Sequence, residues 1–100
     1  MAVFVHVTFD LYEASAEDYA CVQQGFQNLD LADYVYSSKG RYVELPYNTF
    51  AGEYENVTDV AAFADAVLAA IKGVFANCGV TGRVFALVAG NTWAWRSSKF

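Results

Sequence analysis

The pattern that most limits how this chain can fold lies near its N-terminus, where every second residue from 3 to 11 is apolar. The residues between them are Phe4, His6, Thr8 and Asp10. Because successive side chains of a strand point to opposite faces, this alternation predicts a strand with one buried face and one open face. The alternation also differs from the continuous apolar run of a secretory signal.

Two later segments have the spacing of amphipathic helices that can cover the buried face. Ser15, followed by Asp18 three residues later, predicts a capped helix start, and this first helix is expected to end between 28 and 31. Thr58 is predicted to cap a second helix, whose apolar stripe runs from 60 to 75 and ends at 77–79. The second helix is the most strongly patterned element of the chain.

The remaining strands are predicted from segments rich in Val, Tyr and Phe between turn residues, at 33–38, 41–45, 82–89 and 92–96. The first two form a hairpin around Lys39 and Gly40. Segment 49–55 is either a further short strand or an irregular edge, and Gly52 within it indicates a bulge or a close backbone approach. Segment 82–89 is apolar on both sides, which predicts a strand that is central or covered on both faces.

The predicted order is β-α-β-β-α-β with an additional C-terminal strand. We therefore expect one domain over residues 1–100, an α+β ferredoxin-like antiparallel sheet with both helices on one face. Function or dimerisation is expected on the opposite, open face.

Composition and charge restrict the classes of partner. With 11 acidic and 6 basic residues the net charge is −5, and the cations are scattered, so tight binding of DNA or long RNA is not expected. Aromatic residues make up 17% of the chain, and Trp93 and Trp95 point to one side of the last strand. These tryptophans predict a homodimer interface, with a stacking platform for bases as the alternative.

A cytoplasmic protein without a membrane span or a tightly bound cofactor is expected. Asp65 and Lys72 interrupt the most apolar stretch, which is patterned on one face only. Cys21 and Cys78 fall in different helices without metal-site spacing, so we expect buried thiols in a reducing cytosol, with a disulfide left open.

Asp10 is the principal candidate for chemistry, because a carboxylate at a strand end can hold Mg²⁺. An ordinary strand-end Asp is the alternative. His6 lies on the same side and is the second catalytic candidate. Three cations are candidates for holding an RNA phosphate: Lys39, Arg41 and Arg83.

Several short segments resemble the GhoS-type antitoxin family. They are residues 7–11, 14–19, 37–40, 45–46, 85–88 and 92–93. The resemblance implies a ferredoxin-like fold related to the small nuclease-like proteins of CRISPR adaptation. It also implies an endoribonuclease that cuts the messenger RNA of a small membrane toxin, with Asp10 matching the strand-end Asp of the CRISPR-adaptation proteins.

The alternative is a non-enzymatic, acidic interaction protein, such as a phage-borne inhibitor, that docks on a basic protein partner. Its candidate surface consists of five acidic residues: Glu13, Glu17, Asp18, Glu53 and Glu55.

Overall fold

The computed structural model describes residues 1–100, which form two helices and six strands. Its elements are β1 (Val3–Leu11), α1 (Ala16–Asn28), β2 (Tyr34–Tyr36), β3 (Tyr42–Glu44), β4 (Thr49–Tyr54), α2 (Val60–Cys78), β5 (Gly82–Ala89) and β6 (Trp93–Lys99). The α+β class predicted from the sequence is confirmed.

The main sheet has the strand order β4-β1-β5-β6, and all neighbouring strands are antiparallel. One face of β1 is closed by the helices: Val3, Val5, Val7 and Phe9 are each at most 5% exposed. The alternation at 3–11 therefore selected the buried face correctly, since burial of these side chains supplies much of the hydrophobic driving force.

Four phenylalanine rings join the sheet to both helices. Phe26 of α1 lies 5.4 Å from Phe9 of β1, 4.9 Å from Phe50 of β4 and 5.6 Å from Phe75 of α2, measured between ring centroids. All four are at most 6% exposed. Every layer of the domain contributes to this cluster, which is the centre of the core.

The helix starts follow the predicted capping chemistry, with one correction. Ser15 and Asp18 form the expected capping box. In α2 the N-cap is Asp59 instead of Thr58, because the Asp59 carboxylate accepts a hydrogen bond from the Ala62 amide at 3.1 Å. Gly79 ends α2 in the left-handed region with φ of 67°.

By length and composition alone, α2 is apolar enough to cross a membrane, with a mean hydropathy of 1.5 over its best window. One side of α2 nevertheless belongs to the core, because five of its residues are buried: Val60, Ala64, Val67, Ile71 and Phe75.

The predicted hairpin forms, but not as part of the main sheet. β2 and β3 make a separate two-stranded sheet, and the segment before them bridges the edge of β4 at Ala32 and Ala51. Gly52 explains the close approach, since a Cβ atom there would lie 2.7 Å from the Asp30 carbonyl oxygen. The hairpin strands are three residues each, and their tyrosine rings pack on one another instead of on the main sheet.

The expectation of free thiols is wrong, because Cys21 and Cys78 form a disulfide. α1 follows the end of β1 and α2 follows the end of the antiparallel β4, so the two helices run in opposite directions. This arrangement brings the first half of α1 next to the last residue of α2, with 5.9 Å between the two Cα atoms.

Gly82→Ala is expected to destabilise the sheet by about 1–3 kcal/mol, the usual range for overpacking. A Cβ atom at this position would lie 2.0 Å from the Asp10 carbonyl oxygen, so the backbone of β1 or β5 must move. Gly73→Ala is the matched control, because nothing lies within 4 Å of a Cβ atom there, and it should stabilise α2 slightly. Thermal unfolding measures both, and equal midpoints would contradict the close packing at Gly82.

We expect the protein to lose stability at alkaline pH because Tyr54 must then give up its proton. Burial, and then the charge of Asp30, raises the pKa of Tyr54 above its usual value of 10.0, while its hydroxyl donates to the Leu29 carbonyl. The unfolded chain therefore loses this proton first. The stabilisation is complete below about pH 10 and disappears as the pH rises through the raised pKa.

Tyr54→Phe should therefore cost about 1 kcal/mol near neutral pH and flatten the alkaline decline. The measurement is the thermal midpoint from neutral pH to about pH 11. Tyr47→Phe is the control, at a ring that is 80% exposed, and should leave the neutral midpoint unchanged. An unchanged alkaline decline in Tyr54→Phe would contradict the assignment.

Candidate binding face

The side of the main sheet opposite the helices is the candidate functional site, and we call it the open face. Strand register arranges its side chains in four rows: Glu53, Phe4, Ala89 and Trp93; Ala51, His6, Leu87 and Trp95; Thr49, Thr8, Phe85 and Ser97; and Asp10, Arg83 and Lys99. The rows follow because residues opposite each other in antiparallel strands share a face.

Each of the first three rows contains at least one large apolar side chain. Phe4 is 38% exposed, Phe85 39%, Trp95 51% and Trp93 68%. The Phe85 and Trp95 rings stack with 5.8 Å between their centroids. A contiguous group of exposed rings on one face is typical of an interaction surface.

The fourth row is polar. The Arg83 Nε donates to the Asp10 Oδ2 at 2.9 Å, and this hydrogen bond, with the carboxylate charge, raises the pKa of the Arg83 guanidinium. Asp10 and Arg83 border a shallow depression of about 370 Å³, whose lining also includes Thr8, Ser97 and Lys99. With Ser98, the depression brings together one carboxylate, two cations and three hydroxyls at the end of the aromatic rows.

The structure places the two predicted catalytic residues on one face but apart. His6 is half-buried and lies four residues from Asp10 on β1, about 13 Å along the strand. Nowhere in the chain do three His, Cys, Asp or Glu side chains lie close enough together to hold a metal ion. Metal binding by Asp10 therefore stays a prediction resting on one carboxylate.

The predicted phosphate-binding cations are not brought together. Arg83 belongs to the open face, whereas Lys39 and Arg41 lie in the turn of the β2–β3 hairpin, which is a separate sheet. On that hairpin, loss of solvent and the carboxylates of Glu44 and Asp33 raise the pKa of Tyr42. The hairpin thus mixes both signs of charge around exposed tyrosines.

The five acidic residues predicted for a basic partner lie at opposite ends of the molecule. Glu13, Glu17 and Asp18 lie where β1 passes into α1. Glu53 and Glu55 lie at the end of β4, which pairs with the beginning of β1. Asp18 is also engaged in the capping box, so these residues do not make one acidic surface.

Sequence reasoning predicted that β5 is central or covered on both sides. β5 is central, between β1 and β6, but one of its faces is open, because Arg83 and Phe85 are exposed while Val84, Ala86 and Val88 are buried. The signal was available in β6, where Trp93 and Trp95 alternate with smaller residues and mark one side as open. Lys99 was missed because the predicted last strand ended at 96.

The two edges of the main sheet differ. The β4 edge is covered by the Ala32 segment, which exchanges hydrogen bonds with Ala51 at 2.9 and 2.8 Å. The β6 edge is not covered by another segment. Two of its carbonyls accept hydrogen bonds from side chains of β6: Trp95 from Arg96, and Lys99 from Ser98. Covering of the first kind disfavours strand addition at β4.

Comparison of the chain with models of protein families, with curated proteins and with solved structures gives no match.

Proposed function

We propose that this chain is a protein-interaction module that binds its partner through the open face. The observation that carries the proposal is the row arrangement, which places four partly exposed aromatic rings and Leu87 on one face. Burying such rings against a partner supplies most of the affinity at protein interfaces.

Charge supports a protein partner over a nucleic acid. The open face carries two acidic and two basic side chains: Asp10, Glu53, Arg83 and Lys99. A face that is neutral overall gives little of the phosphate attraction that dominates nucleic-acid binding. It also does not favour the basic partner expected from the net charge of the chain.

We propose further that the domain is a ferredoxin-like variant. β4 and β5 lie on either side of β1 and are joined through α2, which is a split β-α-β unit. The segment after α1 bridges β4 at Ala32 and Ala51, at the position that a further strand would occupy. In this proposal the missing strand is reduced to one bridge and the hairpin replaces the rest.

The experiment is photo-crosslinking in cells that express the full chain. A benzophenone amino acid replaces Trp95 on the open face or, as the control, Ala69 on the exposed side of α2. The proposal predicts one product of defined mass from position 95 alone. This product should disappear with Phe85→Glu and persist with Lys72→Glu, and equal products from both positions would contradict the proposal.

A GhoS-type antitoxin endoribonuclease is the second candidate, favoured by the depression at the fourth row. There Arg83 and Lys99 are positioned to hold a phosphate, Phe85 lies beside them to stack a base, and Asp10 keeps one oxygen free of hydrogen bonds. This candidate predicts cleavage of single-stranded RNA in Mg²⁺ that is lost in EDTA and in Asp10→Asn. If the wild-type chain cleaves no RNA, this second candidate fails and the interaction module remains the proposed function.

A cytoplasmic location stays a prediction. Disulfides are typical of oxidising compartments, so residence in the cytosol requires that the fold tolerate reduction of the Cys21–Cys78 bond.

A further inference from the structure

We propose that the partner on the open face is a second copy of this chain, packed sheet on sheet. The two-fold axis would run parallel to the strands, midway between β1 and β5. This inference rests on the proposed function, because it names the occupant of the same surface.

The distribution of charge between the open face and the rest of the chain favours a second copy as the partner. The whole chain has 11 acidic and 6 basic residues, and the open face has two of each, so the excess of five negative charges lies entirely outside it. Two copies can therefore approach through this face without strong repulsion, whereas a strongly charged partner would find no complementary field here.

The rows are complementary to themselves about the proposed axis, which places β1 opposite the partner's β5 and β4 opposite the partner's β6. Phe4 then faces the partner's Ala89 and Phe85 faces the partner's Thr8, so the two rings nearest the axis each meet a small side chain, which is the condition for interdigitation. At the periphery, Trp93 faces the partner's Glu53, and Trp95 faces the partner's Ala51, which is already buried in its own chain. Packed sheets rotate by about 30° relative to each other, so contacts nearest the axis are best conserved.

The polar row fits the same axis. Asp10 would face the partner's Arg83, and the partner's Asp10 would face Arg83, which turns one pair in each chain into a four-residue network. A two-fold axis across the strands would instead place Asp10 over the partner's Phe4 and Lys99 over the partner's Trp93. That arrangement would bury Asp10 and Lys99 unpaired against rings, which is costly, whereas the proposed axis places only Glu53 against a ring, at the periphery.

The dimensions of the sheet suffice for a dimer. Three strands spaced at about 4.8 Å (β1, β5 and β6) and a strand of eight residues at about 3.3 Å per residue cover roughly 400 Å² per copy, since Thr49 and Ala51 of β4 are already buried. Side-chain relief increases this area, so the pair reaches the approximately 1,000 Å² expected of a biological interface.

The test is the mass of the purified full chain in solution, measured by sedimentation from nanomolar to high micromolar concentration. We expect twice the chain mass of 11.0 kDa at high concentration. Phe85→Glu should weaken association at least about 30-fold, the loss typical of a central interface residue. Lys72→Glu on the exposed side of α2 is the control and should retain the dimer.

A charge exchange tests the axis itself. The Asp10→Arg chain carries only cations at the fourth row, and the Arg83→Asp chain carries two carboxylates there. Like charges would then meet across the axis in a dimer of either variant alone, so each should associate more weakly than the wild type. An equimolar mixture should form a heterodimer, because opposite charges then meet across the axis. Equal association of the mixture and of the separate chains would overturn the proposed axis.

A wild-type chain that stays monomeric at every concentration would overturn the second copy as partner. The proposed function would survive that result if position 95 still crosslinked in cells to a different protein, and it would fail as well if no product formed there.

Discussion

Reducing the Cys21–Cys78 bond is expected to lower the free energy of unfolding by about 4 kcal/mol, the chain-entropy estimate for a loop of this length. The disulfide spans 57 positions of the sequence and joins the two helices, so its removal frees most of the chain in the unfolded state. For a domain of this size the thermal midpoint should fall by roughly 15–30 °C.

Thermal unfolding with and without dithiothreitol measures this effect. The double variant Cys21→Ser and Cys78→Ser should unfold near the midpoint of the reduced wild type, and it should no longer respond to the reductant. A wild-type midpoint that does not change on reduction would show that the bond does not support the fold. That outcome would also remove the main physical objection to a cytosolic location.

Phe26→Ala is expected to cost about 3–5 kcal/mol, the range for removing a buried aromatic ring. Phe26 is fully buried and its ring contacts those of Phe9, Phe50 and Phe75, which come from three other elements. The cavity would lie at the point where both helices meet the sheet, so the neighbours cannot close it without moving an entire helix.

Phe85→Ala provides the matched control, since it removes the same atoms from a ring on the open face that is 39% exposed. Measured by urea denaturation of the dilute chain, its effect should be well below that of Phe26→Ala. Similar losses in the two variants would contradict the assignment of buried and open faces. A larger loss for Phe85→Ala at high protein concentration would instead report the dimer.

Local sequence determined the elements that depend on short-range chemistry. The alternation at 3–11 selected the buried face of β1 because side-chain direction in a strand is fixed by parity. Ser15 and Asp18 defined the start of α1 because both partners of the capping box lie within one helical turn. The apolar stripe of α2 and its glycine end were equally local, apart from the choice of Asp59 over Thr58 as N-cap.

Tertiary structure decided the features that join distant residues. The Cys21–Cys78 bond, the separation of the β2–β3 hairpin from the main sheet and the pairing of Asp10 with Arg83 depend on which elements become neighbours. The open face could be predicted only in part for the same reason. The alternation of side chains along a strand shows which residues of β5 share a side, but not which side the helices cover. That choice is made by the packing of both helices against one sheet face, because only there can the four phenylalanine rings be buried together.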